Sequence, residues 1–414
     1  MSKKILNPFV HIHSAFLLKE RSKTCILFKC SNNNLCNIIN HVDRLNISVE
    51  NVIHFSGNKN RKESVLFEMS GSKDLEAIKS IANNRSFFSN DINVPNVYST
   101  SKFPRIPWKT IRSSQRDPLE VIKSAKNIKC GLKKLVKNFA LSPEENLLRL
   151  TYMAELGNLI KSDFPQTEID IYGSTCYGFS TLFSDLDIIL DLKSYEDPIM
   201  KNMNHVRKLI RENDSRNISH ISLFKGKFPI INIKHNLIGS YIDISVKTGC
   251  EFKEIQKSML FYANYFNSYE GFHELMIIVK TMFRKYNILK EGPSRYFTSF
   301  KLTALLVHFL QTIGLIEPMK FDLVRPNNFS QKYDHLFLEL LKWIEKTDFT
   351  HTYIDLYEGK SLSKSDLIEH SYYGDYLICP EPFNNSTKNI TKYIDINAWT
   401  ELKNVSIQIQ KDLS

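Results

Sequence analysis

Residues 172–192, "YGSTCYGFSTLFSDLDIILDL", constrain the fold more than any other stretch of the chain. They set Asp185 and Asp187 two apart inside a run of leucine and isoleucine. In a β-strand, residues i and i+2 share a face. The two carboxylates therefore project together, while Leu186 and Ile188 point the other way into a core. Like charges this close are costly unless a hard cation neutralises them. A third carboxylate stands in "GSYIDISVK", where Ile242, Ile244 and Val246 alternate with Tyr241, Asp243 and Ser245. If the two strands are neighbours, three carboxylates meet at one point. Three aspartates can hold two Mg²⁺ ions ~3.5–4 Å apart, which stabilise both the attacking and the leaving oxygens of a phosphoryl displacement. Gly173-Ser174 precedes this pair. As a strand-to-helix turn it brings backbone N–H groups and a hydroxyl against phosphate oxygens. An Asp-x-Asp pair alone is commonplace and a Gly-Ser pair alone is uninformative. The weight lies in their order: strand, Gly-Ser, Asp-x-Asp, and a later aspartate with apolar flanks.

The net charge of +11 is unevenly spread. Residues 1–140 hold 24 Lys and Arg against 10 Asp and Glu, and the remainder holds 31 against 34. The density peaks between Lys102 and Lys137, with eleven basic residues against Asp117 and Glu120. Such asymmetry points to a polyanionic partner or a targeting segment, with a solvated basic helix face as the plainer reading. Residues 1–20 mix Lys with Ile, Leu, Phe and Val and carry no acid before Glu20, as a mitochondrial presequence does, although no Arg comes before Arg21. His11 and His13 lack nearby Cys or Asp and read as surface residues. The seven cysteines are scattered, with no CxxC pair, which argues against a zinc site or a disulfide framework. No apolar run reaches the ~18 residues of a membrane-spanning helix.

Residues 21–100 read as a small α/β domain of order β-α-β-β-α: "TCILFKC", a helix over 34–45, "SVENVIHF", "SVLFEMS" and a helix over 72–82, with a fourth strand near 94–98. That order suggests an RRM-like sandwich. Its third strand offers only Phe67 of the aromatics an RNA-reading surface needs, so a protein–protein role fits at least as well. Residues 101–140 read as a basic linker and helix, with Asp117 as cap and Pro118 in the first turn. Ser142-Pro143-Glu144-Glu145 repeats that device ahead of a helix whose Leu147, Leu150, Met153, Leu156 and Ile160 face inward. Residues 141–255 form a second domain, and 256–414 a third, built from long amphipathic helices.

"GSTCYGFSTLFSDLDI" followed by "YIDISV" resembles the catalytic signature of the DNA polymerase β-like nucleotidyltransferase superfamily. Within it the chain is similar to the template-independent poly(A) polymerases and terminal uridylyltransferases, and most of all to the mitochondrial poly(A) polymerases. The likeness is strong over residues 140–315 and loose over 315–400. It implies an α+β chain: a nucleotidyltransferase palm with a mixed sheet, a helical poly(A) polymerase-associated domain, and an RRM-like domain ahead of them that supports a homodimer. It implies two Mg²⁺ or Mn²⁺ ions on Asp185, Asp187 and Asp243, with Asp243 as the base for the primer 3′-OH. Gly173 and Ser174 would hold the triphosphate, Lys280 and Arg284 in "VKTMFRK" would contact it, and Ser299 and Phe300 in "FTSF" would meet the incoming base. Read alone, Lys280 and Arg284 suit a solvated helix edge, and Phe300 suits a core. Ser258 stands where the uridylyltransferases place a nucleotide-contacting Asn, as in the mitochondrial enzymes. "EPFNNSTKNI" has Lys388 before Asn389 and lacks the uridine-reading His, which favours ATP.

The implied function is therefore addition of AMP from ATP to an RNA 3′ end, with mitochondrial localisation and no membrane partner; cytoplasmic or nuclear placement is the alternative. The competing readings are a terminal uridylyltransferase, a small-molecule nucleotidyltransferase, and, outside the enzymes, a silent RNA-binding or scaffold protein. The three intact aspartates argue against the last.

Overall fold

The computed structural model describes residues 18–29, 38, 39, 42, 45, 47–57, 63–81, 108–111, 116–193, 198–226, 229–247, 249–289, 296–320, 325–349, 351–363, 377–380, 387, 388, 390, 391 and 394–414. The expectations for His11, His13, most of the targeting segment, the strand near 94–98 and Asn389 fall outside these residues, as does the side chain of Lys388.

The N-terminal sheet contains β1 (Cys25–Lys29), β2 (Val49–Phe55), β3 (Ser64–Met69) and β4 (Trp108–Ile111), with helix α1 (Ser72–Ile81) after β3. The strand order is β1-β3-β2-β4. Strands β1 and β2 flank β3 antiparallel, as the β-α-β-β-α reading requires. Strand β4, at 108–111, adds parallel to β2 at the edge away from β1. One face of the sheet buries Ile26, Phe28, Val52, Val65 and Phe67 together with Ile38, Ile39, Val42, Leu75 and Ile78. Phe67 packs edge-on against Phe28 at 5.4 Å in this core and is no RNA-stacking residue.

The basic segment forms α2 (Pro118–Lys123) and α3 (Ile128–Phe139). Their apolar residues Val121, Ile122, Leu132, Leu135 and Phe139 belong to the core of the C-terminal helices, so this segment is part of the helical body and not a free linker.

Helix α4 (Pro143–Lys161) starts at the expected capping box between Ser142 and Glu145. It buries apolar residues on opposite sides, with Leu147, Leu148, Leu150, Tyr152, Met153, Leu156, Leu159 and Ile160 all covered. A helix apolar on opposite sides must be sandwiched. On one side lies the second face of the N-terminal sheet, through Cys25, Leu27, Ile53, Phe55 and Leu66; on the other lies the palm. The palm comprises β5 (Glu168–Tyr172), the single turn α5 (Ser174–Tyr177), β6 (Leu186–Asp191), α6 (Ile199–Asp214), β7 (Ile218–Phe224), β8 (Ile230–His235) and β9 (Ser240–Val246). Its sheet order is β5-β6-β9-β8-β7. Only the β6–β9 pair is parallel.

Helix α7 (Gly249–Asn267) begins before residue 256, so the expected boundary cuts a continuous helix. Then come β10 (Tyr269–Glu270), α8 (Phe272–Lys285), α9 (Ser299–Thr312), β11 (Asn327–Asn328) and α10 (Tyr333–Lys346). Strands β12 (Thr352–Asp355), β13 (Lys360–Ser363), β14 (Leu377–Pro380) and β15 (Thr387–Lys388) form a small sheet that the helical periodicity did not announce. The chain closes with α11 (Ile396–Leu413), capped by Asp395. Among the described residues no helix is long and apolar enough to cross a membrane.

Candidate active site

The register of the parallel pair sets Asp187 directly beside Asp243. Asp185 precedes β6 by one residue, and all three carboxylates line one cleft of about 840 Å³ between the palm and the helical domain. The opposite residues of the same strands, Leu186, Ile188, Ile242 and Ile244, are fully buried. The alternation expected from the sequence therefore holds on both strands. Burial first, then the charge of Asp185 and that of Asp243, pushes the Asp187 carboxyl well above the usual carboxylate range. A half-buried, all-oxygen donor set under mutual repulsion suits a hard divalent cation. Among the described residues no three His, Cys, Asp or Glu side chains are placed to hold a metal ion as they stand. Asp243 instead directs one oxygen to Asn232, whose Nδ2 donates to it at 2.6 Å.

Gly173 is required twice over. Its φ of +69° is a left-handed value, and a Cβ there would run into Oδ2 of Asp187. In the single turn that follows, the N–H groups of Cys176 and Tyr177 donate to the Gly173 carbonyl at 3.1 and 3.2 Å. The hydroxyls of Ser174 and Thr175 each lie 3.2 Å from the Ser180 hydroxyl.

Lys280 and Arg284, on α8, are no solvated helix edge. Lys280 is only 4% exposed, and its ammonium donates to the Phe179 carbonyl at 3.2 Å and to Ser184 Oγ at 2.9 Å. Burial lowers its pKa to about 7 against the partial support of Asp187. Arg284 donates to the Phe183 carbonyl at 3.2 Å and lies 5.4 Å from the Phe183 ring. Both cations line the cleft with Ser299 and Phe300. Phe300 is 41% exposed and meets Tyr262 edge-on at 6.2 Å, so it is a wall of the cleft and not part of the core. Ser258 is the exception. It sits half-buried on α7 and is not among the residues that line the cleft; the neighbouring Met259 takes the buried position.

Two functional residues had escaped sequence reasoning. Arg149 is 2% exposed and donates to the Ser184 carbonyl at 2.7 Å and the Asp185 carbonyl at 3.3 Å, fixing the chain that enters β6. Its signal was present: Arg149, Met153, Leu156 and Ile160 follow the spacing of one inward helix face. Asn232, which orients Asp243, faces it only through the β8–β9 register, and no local pattern marks it.

Residues 128–262 match the family described as "Poly(A) RNA polymerase, mitochondrial-like, central palm domain". The chain is 24% identical over 264 residues to Poly(A) RNA polymerase GLD2 of Xenopus tropicalis, covering 56% of this chain and 48% of that one. It is 22% identical over 338 residues to the mitochondrial poly(A) RNA polymerase of Drosophila melanogaster, covering 68% and 54%. It thus spans about half the length of these curated relatives. The crystal structure of mtPAP in complex with UTP superposes with a TM-score of 0.74 at 17% identity over 96% of this chain and 93% of that one. The fold of the chain is that of mtPAP.

Proposed function

We propose that this chain, whose palm belongs with those of mitochondrial-like poly(A) RNA polymerases, adds AMP from ATP to the 3′ end of RNA without a template and releases pyrophosphate. The observation that carries the reading is the parallel β6–β9 register, which brings Asp187 against Asp243 on the wall that also holds Asp185. Asp185, Asp187 and Asp243 would hold divalent cations, which when bound would neutralise charge at the attacking and leaving oxygens. The rest falls to the chain itself. Asp243, steadied by Asn232, accepts the proton of the primer 3′-OH. Ser174, Lys280 and Arg284 hold the triphosphate and take up charge as pyrophosphate departs. Phe300 offers a face on which the base stacks, an interaction that every base can make.

The α2–α3 segment carries the RNA body. Lys123, Lys126, Lys133 and Lys137 are exposed, α3 holds no acidic residue, and its end is tied by the Leu182 N–H to Phe139 carbonyl bond to the loop that walls the cleft. Phosphate contacts of this kind bind any sequence. Mitochondrial placement accords with the family of the palm and with the basic first twenty residues.

The decisive experiment is extension of an RNA oligonucleotide with each NTP in turn. ATP incorporated well above the other three supports the proposal. UTP incorporated above ATP assigns a uridylyltransferase instead, and no incorporation with Mg²⁺ or Mn²⁺ leaves an RNA-binding protein.

A further inference from the structure

The open face of the palm sheet carries an apolar shelf that the chemistry above does not use. Along β7, β8 and β9 the side chains alternate: Ile231, Ile233, Ile242 and Ile244 are buried, while Phe224, Ile230, Asn232, Tyr241 and Asp243 line the cleft. Phe224 pairs with Ile230, Asn232 with Asp243, and Lys234 with Tyr241. Asp243 therefore lies between two steps of the shelf, Phe224 with Ile230 on one side and Tyr241 with Lys234 on the other. Each step is two residues along a strand, about 7 Å. Phe224 is 59% exposed at the end of β7, where a polar residue would serve the hairpin as well. The Lys234 ammonium stands 5.8 Å from the Tyr241 ring.

From these positions, and resting on the function proposed above, we infer that the shelf of Phe224, Ile230 and Tyr241, with Lys234 beside it, receives the 3′-terminal nucleotides of the single-stranded RNA primer. Topology gives the direction. Ser174 follows β5, and Lys280 is bonded to Ser184 ahead of β6, so the groups placed for the triphosphate lie on the β5–β6 side of Asp243. In-line displacement needs the attacking hydroxyl on the opposite side. That side is β8 and β7. An exposed aromatic ring stacks on any base, and a lysine takes the adjoining phosphate. The shelf reads no base edge, as an untemplated reaction requires.

The test uses the full chain, ATP, Mg²⁺ and an RNA oligonucleotide ending in 2-aminopurine. Phe224→Ala raises KM for RNA about tenfold, leaves KM for ATP within about twofold, and relieves the 2-aminopurine quenching seen with the unaltered protein; Phe224→Trp restores all three. Because Phe224 is largely exposed, its truncation leaves the fold intact, and thermal unfolding checks this. A rise in KM for ATP alone assigns Phe224 to the incoming nucleotide and overturns the inference. Unchanged KM for RNA with unchanged quenching also overturns it. So does a variant that sediments as a smaller species while binding RNA equally well, which gives the shelf to a second copy of the chain. Should the unaltered protein extend no RNA with any NTP, the function proposed above fails, while the quenching comparison still decides whether the shelf binds a 3′ end.

Discussion

The N-terminal sheet and the palm sheet are built from the same alternating strands, yet only one is available for chemistry. In the N-terminal sheet both faces are covered. Ile26, Phe28, Val52 and Phe67 lie under its own helices, and Leu27, Ile53, Phe55 and Leu66 lie against α4. Even its edge is engaged, since the Leu27 N–H donates to Glu155 of α4 at 3.4 Å. In the palm sheet, Ile231, Ile233, Ile242 and Ile244 seal one face, while the other keeps its carboxylates, Asn232 and Tyr241 along the cleft. What a strand can do is thus set by which face is left uncovered. In the N-terminal sheet, packing commits the second face to α4.

Four variants test this contrast. The largest effect belongs to the open face. Asp185→Ala with Asp187→Ala lowers primer extension by about a thousandfold or more and leaves RNA binding, measured by anisotropy, largely intact; surviving extension would show that the site is elsewhere. Next is Arg149→Met. It strips buried carbonyls of their donor and lowers stability by about 1–3 kcal/mol. It lowers kcat more than KM, because it shifts the entry to β6 without touching substrate. Equal loss in both constants would contradict a positioning role.

Glu155→Gln probes the covered face. Burial holds the Glu155 carboxyl well above its ordinary 4.5, with the Leu27 N–H bond opposing. The folded state therefore retains a proton that the unfolded state releases above pH 4.5, and stability declines as pH rises beyond that value. Gln keeps an acceptor for Leu27 and removes this slope, read from hydrogen exchange in β1 and β3 across the pH range. A slope identical in both proteins would place the titration elsewhere. The smallest effect is that of Ser258→Ala. Off the cleft, it changes stability by less than about 0.5 kcal/mol and KM for ATP negligibly; a large rise would return Ser258 to the nucleotide site.

The legibility of the molecule follows the same division. Period-two alternation gave both palm strands and the direction of all three aspartates, because burial of isoleucine on one face fixes the other. Helical spacing located α8, α9 and α10, and cap residues located the starts of α2 and α4. Lys280 and Phe300 were harder. A lysine is usually solvated and a phenylalanine usually buried, and here the cleft reverses both. The strands β12–β15 stayed hidden because each is at most four residues long.

By itself the sequence determined that three carboxylates must face away from apolar cores, that a glycine turn must precede them, and that the first third carries the positive charge. Those are local consequences of strand period, turn sterics and composition. Only the tertiary structure decided that Asp187 sits beside Asp243, that Asn232 and Arg149 steady them, and that the N-terminal sheet is closed by α4. Pairing register and the choice of covered face depend on contacts between segments far apart in the chain, which no local pattern encodes.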